Sequence, residues 1–522
     1  MQSTQLMKMV SIGRSAQGRD INMIILSSDN AFNAEGIRSS SKPTVLIQGG
    51  IHAGEIDGKD AGLMLLRDIL HGNKRTLIEG VNILFIPILN VDGHERSGPY
   101  NRVNQRGPEN QGWRSNARNL NLNRDYAKID TEEIRAVVKV MNEYDPDLYL
   151  DLHVTDGADY QYDITYGFGE TPSRATSVWL KNVLTPFVDQ QLAAAGHIPG
   201  QLVFSANDMD FTNGMQEFPY SPRFSNGYGE ARHLPAVLVE NHSLKPFRQR
   251  VLGTYVFLES VLSLIGREGK SLQNAIAEDQ KKRAAIVLTY KRNPKADSVD
   301  FLGIQSERKK SPLTGAEFVS WTGKPIKQRI AYVRNNIPDK TTQRPKMILV
   351  PSTYPEVIER LKTHGIKLEE LKDTTTVNLT LFKINDFRFS PRPVEGHFTV
   401  SGNASPFQTQ EKYYPGSVRI NLDQPLGDLA VHLLHPDSPD SFLQWGFFME
   451  IFSRTEYMEQ YVTEPLAQQM MTKDPSLKDA FEKRKKEDPD FASSPQKMYE
   501  WFYERSPYYD VRWRVYPVGF EF

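Results

Sequence analysis

The sequence predicts an α/β fold, a mixed and mostly parallel sheet covered by helices, followed by a strand-rich α+β C-terminal domain. Three observations carry this. Across residues 44–153, short β-branched runs alternate with segments of helical period, the pattern of parallel strands joined by helical crossovers. A further apolar run, Ala236-Val237-Leu238-Val239-Glu240, then adds a strand. Beyond residue 297 the pattern changes to period-two alternation, as in Lys327-Gln328-Arg329-Ile330-Ala331-Tyr332-Val333 and Thr376-Val377-Asn378-Leu379-Thr380-Leu381-Phe382, which suggests antiparallel strands.

The 522 residues, 39% apolar and 24% charged, describe a globular chain of two or more domains. With 63 basic against 64 acidic residues, no electrostatic footprint argues for nucleic acid or an anionic membrane. The absence of cysteine excludes disulfides, Cys-ligated metal and thiol nucleophiles, leaving His, Asp and Glu as metal ligands. The most apolar helical stretch, residues 251–265, contains Glu259 and is too short to span a bilayer. No charged segment followed by an apolar core opens the chain.

Taken in order, the run at residues 44–48 is a strand and residues 61–70 have helical length and period. Between them lies Gly49-Gly50-Ile51-His52-Ala53-Gly54-Glu55. Glycine permits a tight strand-to-helix turn, and such turns lie at the sheet edge where ligands bind. The His-x-x-Glu spacing can bring His52 and Glu55 to one zinc ion. A catalytic zinc usually takes three protein ligands, and residues 147–153 form a strand-like run ending in His153, a candidate third. Strand period places Asp151 on the face of His153, where it could belong to the polar surroundings of the ligand.

Residues 81–86 form another strand and 131–144 another helix. The long Asn-, Arg- and Gly-rich stretch at 91–123 is of a length usually functional. Most of its arginines, including Arg96, Arg102, Arg106 and Arg118, read as solvated surface. Residues 155–163 are plausible pocket wall, 173–196 are helical in pattern, and a loop at 205–233 leads to Glu240. A carboxylate there is costly unless paired, bound to metal or used in chemistry.

In this order, His52 and Glu55, Asn123-Arg124, His153 and Glu240, the chain resembles the zinc metallocarboxypeptidases of the carboxypeptidase A and T type. The resemblance runs from about Val10 to Gly266. It includes Gly13-Arg14-Ser15-Ala16-Gln17-Gly18-Arg19, similar to that family's opening strand pair, and Asn90-Val91-Asp92-Gly93, similar to its N-P-D-G. It implies one zinc ion on His52, Glu55 and His153, with Glu240 as catalytic glutamate. It further implies that Asn123 and Arg124 hold the free carboxylate of a peptide substrate and that Arg114 faces the oxyanion, with Arg118 and Arg106 as alternatives. A tyrosine covering the substrate would be Tyr228 or Tyr220. One departure stands out: the family commonly has Asp where this chain has Asn121, leaving open what orients His52.

These readings divide the chain into a catalytic domain at 1–267, a helical connector at 268–296 and an α+β accessory domain at 297–522, like that on larger bacterial members of the family. No ligand constellation is evident in the last. The expected activity is zinc-dependent hydrolysis of the C-terminal peptide bond. The alternatives are a zinc amidohydrolase acting on cell-wall or other non-protein amides, and a catalytically inactive peptide-binding protein. By resemblance alone, a periplasmic or secreted location after leader removal is expected, without membrane insertion or nucleic-acid partners.

Overall fold

The computed structural model describes residues 4–169, 171, 174–206, 210–218, 220–454 and 456–522. Its first half contains strands β1 (Met7–Arg14), β2 (Asp20–Leu26), β3 (Thr44–Gly49), β4 (Asn82–Ile86), β5 (Leu148–Val154), β6 (Ile164–Gly167), β7 (Pro199–Gln201), β8 (Met215–Gln216) and β9 (Ala236–Asn241). All but β8 join one sheet in the order β1-β2-β4-β3-β5-β9-β6-β7. The central block β4-β3-β5-β9 is parallel, while β1, β2 and β6 run antiparallel to their inner neighbours. Strands β3, β4 and β5 are buried along their whole length, which is why they read as unbroken apolar runs.

The accompanying helices are α1 (Ala34–Ser39), α2 (Asp57–His71), α3 (Val91–Glu95), α4 (Glu132–Tyr144), α5 (Ala175–Trp179), α6 (Thr185–Ala194), α7 (Ser225–Ala231) and α8 (Phe247–Lys281). One face of the sheet is covered by α2, α6 and α8, through Leu65, Ile69, Leu192, Phe257, Val261 and Ile265. On the other face α1 and α4 share an apolar core with the C-terminal half. Thr131 begins α4 by accepting the Ile134 N–H, and left-handed Asp145 ends it, as the pattern at 131–144 predicts.

One expectation needs correction. The helix that begins at Phe247 runs through Gly266 to Lys281, and the connector, expected to be helical over 268–296, is helical only to Lys281 and continues as strand β10 (Ile286–Lys291). Gly266 and Gly269 are not stops but points of close approach: a Cβ on Gly80 would lie 2.8 Å from the Gly266 carbonyl oxygen, and one on Gly269 would lie 2.4 Å from Pro43. Near the C-terminus two helices, Gln460–Lys473 and Pro475–Glu487, are divided at Asp474-Pro475. Proline lacks the N–H that would continue the ladder, and Asp474 caps the new helix at Ser476 and Leu477.

The C-terminal half continues with β11 (Asp297–Lys310), β12 (Glu317–Val333), β13 (Ile337–Thr342), β14 (Met347–Val350), β15 (Glu369–Glu370), β16 (Thr375–Phe389), β17 (Val400–Tyr413), β18 (Val418–Asn421) and β19 (Val515–Glu521). A six-stranded antiparallel sheet has the order β15-β18-β14-β19-β16-β17. The long hairpin β11–β12 extends through β12 onto β8 of the first half. Helix α9 (Pro355–Thr363) presents Arg360 to Asp130 at 2.7 Å, and His397 reaches the other oxygen of the same carboxylate at 2.7 Å. Buried Lys128 bridges Asp125 and Asp130, so this charged junction is internally neutralised. Among the described residues no helix is long and apolar enough to cross a membrane.

Candidate active site

The parallel block brings the ends of β3, β5 and β9 to one edge. After β3 the chain turns through Gly50 at φ +61°, where a side chain would be strained and a Cβ would meet Ile88. The turn buries His52 and Glu55, whose N–H returns to the His52 carbonyl at 2.9 Å. His153 is the next-to-last residue of β5 and lies in register with Glu240 of β9.

Both imidazoles aim Nδ1 at the Glu55 carboxylate, His52 at 2.9 Å from Oε1 and His153 at 3.0 Å from Oε2. Their Nε2 atoms are already committed. That of His153 lies 2.8 Å from Asp151 Oδ2, and the other oxygen of Asp151 accepts from Gln48 at 2.9 Å. The Nε2 of His52 lies 3.0 Å from Asn121 Oδ1, which also accepts the Asn123 N–H at 3.0 Å. Asn121 thus supplies the acceptor that an Asp would supply, and the question raised by that departure is answered in the geometry. With a cation bound, these acceptors keep each ring's proton on Nε2 and leave Nδ1 to the cation.

The donor set fits zinc. Two imidazole nitrogens and a carboxylate oxygen lie within 4.8 Å of one another, all buried, and this His₂Glu set leaves room for a fourth ligand. Burial alone would raise the Glu55 carboxyl, but His52, Arg102 and hydrogen bonds from both histidines hold it well below the usual carboxylate range. The Val154 N–H adds a further bond to Oε2 at 3.0 Å.

Arg114 reaches Glu55 Oε1 at 3.2 Å while remaining partly exposed to the cavity. Arg102, which reads from sequence as surface, is instead buried, 3.1 Å from Glu55 Oε1 and 3.1 Å from Asp156 Oδ1. No local signal marks it, since its partners come from the β3–α2 turn and from beyond β5. Arg106 and Arg118 are exposed and line no part of the cavity.

The cluster opens on a cavity of about 350 Å³ whose wall also carries Asn123, Arg124 and Glu240. Asn123 is fixed by accepting the Ser225 N–H at 2.9 Å, and Arg124 lies over the Phe224 ring at 4.5 Å. Glu240 Oε2 is buried without a hydrogen-bond partner among the described residues. Burial, reinforced by Glu55 and opposed by His153 and Arg114, pushes its carboxyl up to about 8. Thr155, Asp156, Ala158 and Tyr160 line the same cavity, where residues 155–163 are expected to form pocket wall.

Tyr228 does not reach it. Helix α7 turns its side chain into the core, fully buried, with the hydroxyl 2.8 Å from His364 Nδ1. The loop expected at 205–233 is helical there, and the ring packs beside Tyr126 rather than over a substrate. Tyr220 lines a different cavity.

A mixed α/β sheet carrying a His₂Glu cluster and a carboxylate at its parallel edge defines a zinc hydrolase site. Residues 1–220 match the family model described as zinc carboxypeptidase. Among curated relatives, carboxypeptidase 2 of Trichophyton rubrum is 22% identical over 454 residues, spanning 83% of this chain and 79% of that protein. Carboxypeptidase Z of Gallus gallus is 36% identical over 135 residues, 24% of this chain and 19% of that protein. Among solved structures, a metallo-carboxypeptidase from Burkholderia cenocepacia aligns with TM-score 0.38 and 16% identity, covering 51% of this chain and 66% of that one.

Proposed function

We propose that this chain is a metallocarboxypeptidase that removes the terminal residue of peptides bearing a free carboxylate. The observation that carries the reading is the opening of the His52, Glu55 and His153 cluster onto the same cavity wall as Glu240, Asn123 and Arg124.

His52, Glu55 and His153 hold zinc, which when bound polarises the scissile carbonyl and acidifies water near neutral pH. Glu240 takes the proton of the attacking water on its unpartnered oxygen and returns it to the leaving amine nitrogen. Arg114 donates to the oxyanion that forms as the carbonyl carbon becomes tetrahedral. The Arg124 guanidinium and the Asn123 amide hold the terminal carboxylate, a planar fork and a second donor suited to two oxygens. Arg102, enclosed between Glu55 and Asp156, keeps the metal-side carboxylate in place and ionised.

Hydrolysis of a blocked dipeptide tests this. Activity should vanish on removal of metal, return with zinc, and be absent for the same peptide with an amidated terminus. Full turnover in chelator by protein without bound metal would overturn the assignment.

A further inference from the structure

The wall of the substrate cavity is not self-supporting. Residues 210–218 contribute Phe211, Gln216 and Phe218 to it, and Tyr160 contributes from the segment after β5. Strand β8 within this segment takes no place in the main sheet; it pairs in parallel with the end of β12, Met215 opposite Tyr332 and Gln216 opposite Val333. Glu217 continues the attachment: its N–H donates to the Val333 carbonyl at 2.9 Å, and its carboxylate accepts the Asn335 N–H at 2.7 Å.

Behind the wall stands Phe301 of β11, with no exposed surface. Its ring lies 4.7 Å from Phe211, 5.8 Å from Tyr162 and 6.4 Å from Tyr160. The hairpin is locked to the segment after β5 at several points. The Gln161 amide donates to the Gly303 and Ile326 carbonyls at 2.9 and 2.8 Å, and the Leu302 N–H donates to the Tyr162 hydroxyl at 3.1 Å. Phe301 itself does not line the cavity. It reaches a substrate through Phe211 and Tyr160, the two of these three rings that line the cavity.

We infer that Phe301 and the β11–β12 hairpin are positioning elements of the substrate pocket, so that the C-terminal half sets how well the enzyme accepts a large terminal side chain. The inference rests on the proposed carboxypeptidase reading for its substrate class. The physical reason is that aromatic walls discriminate by shape. A ring left without backing relaxes into the vacated space, and a large side chain loses its contact surface while a small one loses little. Among the described residues Phe301 makes no ring contact with the zinc-binding histidines and lines no part of the wall that carries Glu240, so bond breaking is left alone.

The test is Phe301→Ala in the full-length zinc-loaded protein, with Phe301→Leu as a second variant that keeps most of the volume. Two blocked dipeptides, one ending in Phe and one in Ala, are assayed, and amide exchange is followed over residues 210–218. The expected result is a KM for the Phe substrate raised about tenfold or more, as for the loss of a ring-sized contact. For the Ala substrate, KM should change less than about threefold, with kcat and zinc content preserved and exchange over 210–218 faster. Phe301→Leu should shift the same quantities less. Equal KM changes for both substrates, or unchanged exchange across 210–218 in both variants, would overturn the inference. If the wild type hydrolyses neither peptide, the carboxypeptidase reading fails instead, and unchanged or faster exchange then decides separately whether the hairpin supports the wall.

Discussion

Replacing Arg250 by Met probes the buried charge that holds the metal-binding turn. Arg250 is fully buried at the start of α8 and makes six hydrogen bonds: two to Asp57 at 2.7 and 3.3 Å, and four to the carbonyls of Arg106, Gly107, Ser243 and Lys245. Asp57 begins α2, two residues after Glu55, so this one guanidinium joins the turn to the long loop and to the segment after β9. Burial pushes the Asp57 carboxyl up to about 6 even with Arg250 beside it. Breaking a buried pair by removing one partner costs about 3–5 kcal/mol, because the remaining charge is stranded. In the variant, the folded pKa of Asp57 lies further above its unfolded value, and such a group loses stability as pH rises. The deficit should therefore be full at pH 8 and smaller at pH 5.5, where the stranded carboxyl takes a proton, changing by up to about 1.4 kcal/mol per pH unit. Urea unfolding followed by tryptophan fluorescence measures it, and adding Asp57→Asn should recover at least about 1 kcal/mol. A deficit under about 1 kcal/mol at pH 8, or one equal at both pH values, would refute the reasoning.

Glu240→Gln keeps the shape but cannot accept a proton; kcat should fall by roughly 10²–10⁴-fold with zinc retained, and loss of stoichiometric zinc would make Glu240 a ligand instead. Asn121→Leu removes the acceptor of His52 Nε2, so zinc affinity measured by chelator competition should drop about 10–100-fold, whereas unchanged affinity would show that Asn121 does not orient the ring. His364, buried between the halves with its ring nitrogens against the Tyr228 hydroxyl and the Ala127 carbonyl, has its pKa lowered to about 3 by burial. The stability it contributes is fully present above pH 6.5 and lost as pH falls below it, so wild type should lose more between pH 7.5 and 5 than His364→Gln, by about 1–2 kcal/mol; parallel curves would remove His364 as the cause.

What sequence could reveal followed from local pattern. The buried strands β3, β5 and β9 announce themselves as apolar runs, and the residues at their ends, His52, Glu55, His153 and Glu240, stand where chemistry belongs at a parallel edge. Asp151 was legible through strand period alone, and it does meet His153. The misses share a different cause. Arg102 is placed by carboxylates 47 positions before it and 54 after it, and nothing near it in sequence signals burial. Tyr228 was assigned to a loop that folds as α7, and its partner His364 lies 136 positions away. Long-range packing, not propensity, decided each of these.

The parallel pairing of β8 with β12 also has a consequence for the order in which a ribosome delivers the chain. Residues 210–218 are synthesised more than a hundred positions before Tyr332 and Val333, the strand on which they are pinned. The metal-binding residues and Glu240 emerge earlier, and their sheet can close once β9 is made. A nascent chain can therefore hold its reactive groups in place while its substrate wall still lacks a template, and the pocket takes its final shape only after the hairpin has left the exit tunnel. Synthesis thus separates the assembly of the chemical machinery from the onset of selectivity.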